Sequence, residues 1–116
     1  MNKKLEISLL YDFYGELIPA SQQRVVELYV NDDLSLSEVA EILGISRQGV
    51  RDSLARAMTK LRDYEAHLRL RAAYDRRRRC AEAIAADAQR IMALSDDEAI
   101  TRLCTDILHH TEERED

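Results

Sequence analysis

Twenty residues, Ser35 to Leu54, leave the backbone little choice: they read SLSEVAEILGISRQGVRDSL. Ser35 followed three residues later by Glu38 predicts a capping box, in which each side chain satisfies a backbone N–H that the first helical turn leaves free. A helix over about Leu36 to Leu43 follows from it. Gly44 comes after this apolar run and before Ile45 and Ser46. It suits the left-handed conformation that ends one helix, and Ser46 suits the cap of the next. Two helices joined by about three residues form a helix-turn-helix. Val39, Leu43, Ile45, Val50 and Leu54 supply the apolar contacts the pair needs, and Ala40 is the small residue that lets the helices approach.

The rest of the chain also reads as helix. Three Gly and one Pro in 116 residues leave few breaks, and Phe, Trp and Tyr total six, so bulky core material is limited. Leu5, Leu9, Leu10, Phe13 and Leu17 recur at helical spacing, predicting a first helix over Lys3 to Tyr14 that Gly15 ends. Pro19 suits the entry to a second helix, buried through Val25, Val26, Leu28 and Tyr29 and stopped by Asn31, Asp32 and Asp33. Val50, Leu54, Ala57, Leu61, Tyr64 and Leu68 form a seam at 4,3,4,3,4 spacing, the pattern of two helices wrapping together. Cys80, Ile84, Ala88, Ile91 and Leu94 form a later face. An unbroken helix from Arg47 to Leu94 would be about 72 Å long. It is therefore expected either to break near residues 71 to 79 or to extend towards a partner. Ser95 with Glu98 reads as a second capping box, with a last helix from Asp96 to His110 burying Ile100, Leu103, Ile107 and Leu108, and a frayed tail from Glu112 to Asp116.

The net charge is −5, which argues against a protein that simply coats nucleic acid. Its distribution is uneven: residues 1 to 46 carry −5, residues 47 to 79 carry +7 and residues 80 to 116 carry −7. A basic middle between acidic ends can meet a polyanion locally. Cys80 and Cys104 show no CxxC spacing and no secretory signal precedes them, so a reduced, cytoplasmic protein is expected. No apolar run is long enough to span a bilayer, and no membrane insertion is expected.

If the hairpin docks on double-stranded DNA, its second helix enters the major groove N-terminal end first. Arg47, Gln48 and Arg51 then face base edges, where Arg can make two bonds to guanine and Gln two to adenine. Ser46 and the free amides at the helix start suit a phosphate, whereas Asp52 would repel one. Gly49 costs up to about 1 kcal/mol relative to Ala in a helix and permits close backbone approach. Arg56, Lys60 and the block Arg76, Arg77, Arg78, Arg79 are candidate electrostatic contacts. Each has a plainer reading. Arg47, Gln48 and Arg51 form a solvated face, and the block pairs with the acidic last helix or with Asp75 and Glu82. Tyr11, Tyr14 and Tyr29 read as packing rather than stacking platforms. His109 and His110, beside Glu112 and Glu113, answer the helix dipole better than they hold a metal. No catalytic constellation, phosphate loop, metal site or cofactor pattern is present, so an enzyme is not expected.

The segments LEISLLYDFYGELI (Leu5 to Ile18), LYVNDDLSLSEVAEILGISRQGVRDSL (Leu28 to Leu54) and RAMTKLRDYEAHL (Arg56 to Leu68) resemble the YlxM family of small bacterial helix-turn-helix proteins. The same region is similar to the DNA-binding region four of sigma factors, with Pro19, Gln22, Arg24, the hairpin and Arg56 to Arg62 in corresponding places. The resemblance covers about the first seventy residues. It implies a mainly helical DNA-binding regulator, linked by gene neighbourhood to the signal recognition particle. Such chains are expected to end in a shorter, Lys- and Glu-rich part, whereas residues 71 to 116 are rich in Ala and Arg.

The expected architecture is all-α: a helix-turn-helix domain over residues 1 to 70, and a long helical arm over 71 to 116 for dimerisation or partner contact. A homodimer through the Leu54 to Leu68 seam or the Ile84 to Leu108 surface is expected. The function expected first is a DNA-binding regulator associated with the signal recognition particle pathway. The alternative is a protein-interaction module that contacts components of that particle, with the hairpin as scaffold.

Overall fold

The computed structural model describes residues 2–112; all but the first residue of the expected tail, Glu112 to Asp116, lies outside them. Six α-helices account for most of the described chain, and no strand occurs among the described residues: α1 Lys3–Tyr14, α2 Ala20–Val26, α3 Leu36–Leu43, α4 Arg47–Leu68, α5 Leu70–Leu94 and α6 Glu98–Thr111. The fold is all-α. The chain divides into two compact units, Met1–Arg71 and Ala72–Asp116.

Unit 1 is built around α4. On one side Ile7, Leu10, Tyr14 and Ile18 meet Val26, Ala57 and Leu61, with Leu54, Met58 and Tyr64 at the margin. On the other Val25, Leu28, Val39, Ala40 and Val50 close a second cluster, edged by Tyr29, Leu36 and Leu43. Leu61, Val50 and Val39 are fully buried. The seam Val50, Ala57, Leu61 is thus consumed inside the unit by α1, α2 and α3. As far as Leu61 it is not a free surface on which a second copy could wrap, as its spacing alone suggested, and only Leu68 at its end is about half exposed, at 52%.

Elements two and three show how the local signals act. Asn2 caps α1 by accepting the amides of Lys4 and Leu5. The buried side of α1 is Ile7, Leu10 and Tyr14, rotated from the predicted stripe, because Leu5 and Leu17 lie about half exposed at 51% and 54%. After α1 the chain tightens into a 3-10 turn, Gly15–Leu17, and Pro19 caps α2. Its carbonyl accepts the amides of Gln22 and Gln23 at 3.0 Å each. α2 then widens into a π-helical turn, Glu27–Asn31, which no sequence pattern announced. Asp33 ends this segment with a left-handed φ of 52°.

The hairpin forms where it was expected. Both halves of the Ser35–Glu38 capping box are present, each at 3.1 Å. These contacts hold the Glu38 carboxyl below its ordinary value, chiefly through the Ser35 amide that it accepts. Gly44 takes φ 67° and ψ 33°. Its amide and that of Ile45 both turn back to the Ala40 carbonyl, the latter at 3.1 Å, so the helix end is closed by backbone alone. The Ile45 side chain is left at the turn surface, 44% exposed, and is not the core contact it was expected to be.

α4 stops at Arg69, a non-glycine residue with φ 53°, and α5 starts at once with Leu70. The break therefore precedes the 71 to 79 window. It is stabilised by side chains rather than by composition. The Tyr14 hydroxyl donates to Glu65 Oε1 at 2.6 Å and accepts the Leu70 amide at 2.9 Å, and the Arg71 amide donates to the same carboxylate oxygen at 3.1 Å.

In unit 2, α5 and α6 are joined by Ser95, Asp96 and Asp97. The cap of α6 is Asp97, whose carboxylate accepts the amides of Ala99 and Ile100 at 2.8 and 3.2 Å. Ser95 instead accepts the Asp97 amide at 3.2 Å, so the predicted Ser95–Glu98 box does not form. The buried residue of α6 is Cys104; Ile100, Leu103 and Ile107 are exposed and Leu108 is half-buried. None of the helices described is long and apolar enough to cross a membrane.

Candidate nucleic-acid interface

The first turns of α4 project from a fixed base. Val50 is fully buried against α2 and α3, and Leu54 packs between both clusters, which aims the opposite side of the helix at solvent. Ser46 caps it through its Oγ, which accepts the Gly49 amide at 2.9 Å. The Arg47 and Gln48 amides are left without an intrahelical acceptor, as in any first helical turn. Gly49 has a local role. A Cβ there would sit 3.2 Å from Ser46 Oγ and 3.7 Å from the Ile45 side chain, so the missing side chain makes room for the cap.

Ser46, Arg47, Gln48 and Arg51 are all exposed and share this tip. Gln48 donates from Nε2 to Asp52 Oδ1 at 2.9 Å. Asp52, read from sequence only as a repulsive charge, is thus the residue that orients the amide. The carboxylate takes one N–H and leaves Oε1 and the second N–H for an outside partner.

Beside the tip a cleft of about 450 Å³ opens between α1, α3 and α4, floored by Ile7, Tyr29, Leu54 and Met58 and rimmed by Lys3, Lys4, Arg51 and Arg62. Two of these cations are committed elsewhere. Lys4 pairs with Asp33 and lies 4.6 Å from the centre of the Tyr29 ring. Arg62 makes a two-pronged bridge to Glu6, at 2.7 and 2.9 Å. The Arg62 guanidinium holds the Glu6 carboxyl below its usual range, and the Lys4 ammonium does the same to Asp33. Lys3 and Arg51 make no ion pair among the described residues. Lys3 escaped the sequence reading because it lies 48 positions from Arg51, and only the packing of α1 on α4 makes them neighbours.

Other candidate residues are not gathered here. Arg56 and Lys60 follow Arg51 by five and nine positions, which places them about 140° and 180° round the helix from it. Arg56 is exposed and Lys60 half-buried. Arg76, Arg77, Arg78 and Arg79 are exposed on α5 in unit 2, where Arg78 lies 3.4 Å from Glu82. The tyrosines are packing residues. Tyr14 is buried, Tyr11 donates to Glu27 at 2.8 Å, and burial, aided by that bond, pushes the Tyr11 hydroxyl up to about 12. His109 lies 3.6 Å from Glu112, and no group able to hold a metal ion occurs among the described residues.

Comparison with known proteins agrees with this geometry. The sequence pattern of a family described as "Putative helix-turn-helix protein, YlxM / p13 like" matches residues 1–102. The match runs beyond the first seventy residues, through α5 and into α6. A UPF0122 protein of Clostridium perfringens strain SM101 is 39% identical over 97 residues, covering 84% of this chain and 87% of the relative. Another from Caldanaerobacter subterraneus subsp. tengcongensis is 52% identical over 66 residues, 57% of this chain and 56% of the relative. A third, from Acetivibrio thermocellus, is 47% identical over 70 residues, 60% of each chain. A match over most of the chain, together with an observed helix, left-handed glycine and capped second helix, shows that this protein belongs to the YlxM / p13-like helix-turn-helix family.

Proposed function

We propose that the protein is a cytoplasmic regulator that reads double-stranded DNA with the N-terminal end of α4, works in the signal recognition particle pathway and acts as a dimer. One observation carries the DNA reading. Arg47, Gln48 and Arg51 stand exposed on a helix whose other side is locked by the fully buried Val50. Arg51 and Arg47 supply guanine contacts, and Gln48, steadied by Asp52, supplies an adenine contact. Ser46, the adjoining amides and Lys3 hold phosphates and set the register. The link to the particle rests on family resemblance.

A selection from randomised duplexes followed by anisotropy titration tests this. Wild type selects a sequence, and Arg51→Ala and Gln48→Ala each relax it at one position, costing about 1–3 kcal/mol there. Lys3→Ala weakens binding to all duplexes alike and lowers the salt slope by roughly one unit. Equal binding of wild type and both α4 variants to every duplex would overturn the readout.

A second reading is favoured by Arg56 and Lys60, which lie off the readout side of α4. In it this flank contacts a component of the particle and the hairpin is scaffold. Binding of purified particle components at salt that abolishes DNA retention, lost in Arg56→Glu, supports that reading; no binding by any component removes it.

A further inference from the structure

Unit 2 buries only Ala88 and Cys104 among its described residues, little for a unit of this size to hold itself together. Most of its larger apolar side chains face outward, with Met92 and Leu108 half-buried. Ile84, Ile91 and Leu94 are 45%, 45% and 86% exposed on α5, and Ile100, Leu103 and Ile107 are exposed on α6. On α5 the positions Cys80, Ile84, Asp87, Ile91 and Leu94 recur at 4,3,4,3 spacing, which is one continuous stripe. The apolar seam on α4 is, by contrast, buried inside unit 1 at Val50, Ala57 and Leu61.

We infer that the unit 2 stripe docks on a second copy of the chain, with the two α5 helices antiparallel about a two-fold axis at the level of Ala88. The charges select both the occupant and the direction. Arg78 lies ten residues before Ala88 and Glu98 ten after, with Arg79 and Asp97 nine to either side, and all four are exposed. Antiparallel pairing therefore sets the arginine block of each protomer against the acidic start of its partner's α6, and the two-fold repeats the match. Ile84 and Ile91, four before and three after, meet across the axis. Asp87, the carboxylate on the stripe, comes within one position of the partner's Arg90. A parallel pairing would instead stack Arg76 to Arg79 on its own copy, and like charges opposed that closely repel. This assigns the arginine block to self-association rather than to nucleic acid, and it stands whether or not α4 reads DNA.

The full chain, weighed by light scattering and sedimentation across concentrations, should be a dimer. Ile84→Asp and Ile91→Asp should each raise the dissociation constant at least about 100-fold with an unchanged helical signal in circular dichroism, because each buries an unpaired charge only in the dimer. Arg78→Glu should weaken the dimer, and adding Glu98→Arg to it should restore association. Direction has its own readout. Cys80 is exposed and lies eight residues before Ala88, with Asp96 eight after, so Asp96→Cys should yield a covalent dimer on oxidation, through bonds between Cys80 of one protomer and the introduced thiol of the other. Within one chain Cys80 and Leu94, where α5 ends just before Asp96, are about 21 Å apart along the helix, beyond the reach of a disulfide. A wild-type chain that stays monomeric at millimolar concentration, a dimer indifferent to both isoleucine variants, or covalent dimers linked only through Cys80 to Cys80 would each overturn the proposal.

Discussion

Units 1 and 2 are made of similar material, helix-forming and rich in charge, yet they bury it differently. Among the described residues unit 1 holds twelve apolar side chains below the surface and unit 2 holds two. The difference lies in what each long helix meets. α4 is covered by α1, α2 and α3 along most of its length, so its exposed tip is held in place. α5 keeps Ile84, Ile91 and Leu94 in solvent. A rigid tip suits readout, in which a side chain displaced by a bond length loses its partner. An uncovered stripe suits association. The proposed recognition and the proposed assembly would thus fall to two different stretches of one chain.

The contrast is broken most severely by Leu61→Ala. Leu61 of α4 is fully buried against α1 and α2, and truncation should cost about 2–5 kcal/mol in urea unfolding followed by circular dichroism. A cost near zero would mean that unit 1 is not the packed one. Tyr14→Phe comes next. It deprives the Leu70 amide of its acceptor and Glu65 of a donor, at about 1–3 kcal/mol, and hydrogen exchange at Leu70 should quicken. Unchanged exchange would show that the α4–α5 break is held by something else.

How much of this was legible depended on how local the cause was. The hairpin was readable because its determinants, Ser35, Glu38, Gly44 and Ser46, act within four residues along the chain. The break at Arg69 was not. It depends on Tyr14 reaching Leu70 across 56 positions, and nothing in the local sequence marks Arg69 for a left-handed turn. The α4 seam was visible as a spacing, but spacing cannot say whether α1 or a second molecule fills it. The candidate site divides the same way. Arg47, Gln48 and Arg51 follow from the cap and the buried Val50, whereas Lys3 enters only through tertiary packing and Asp52 needed the Gln48 rotamer. Ser95 was mistaken for a cap because Asp97, two residues on, offers a carboxylate that accepts two amides.

Gly44→Ala sharpens the comparison at the turn itself. Its Cβ would meet nothing within 4 Å, so the cost is the left-handed backbone alone, about 1 kcal/mol, read from the thermal midpoint. A larger loss would point to a packing role. Glu6→Gln probes the surface pair joining α1 to α4, worth less because Arg62 is half exposed. The folded state lowers the Glu6 pKa, so its contribution is present above the ordinary 4.5 and fades as pH falls below it. The variant should therefore lose less stability than wild type between neutral and acid pH, and parallel stability–pH curves would show that the bridge contributes nothing.

Leu94→Ala is the smallest effect and the one that separates the two units most cleanly. At 86% exposure it has almost no burial to lose within its own chain, so at dilutions where the protein is monomeric its cost should stay within about 0.5 kcal/mol. The same substitution in concentrated solution should lower the thermal midpoint if the proposed dimer contributes to stability there by mass action. A loss that is large when dilute and indifferent to concentration would place Leu94 inside a single chain's core and make unit 2 a second, self-sufficient domain. A loss that appears only with concentration leaves unit 1 as the part that folds on its own packing and unit 2 as the part completed by a partner.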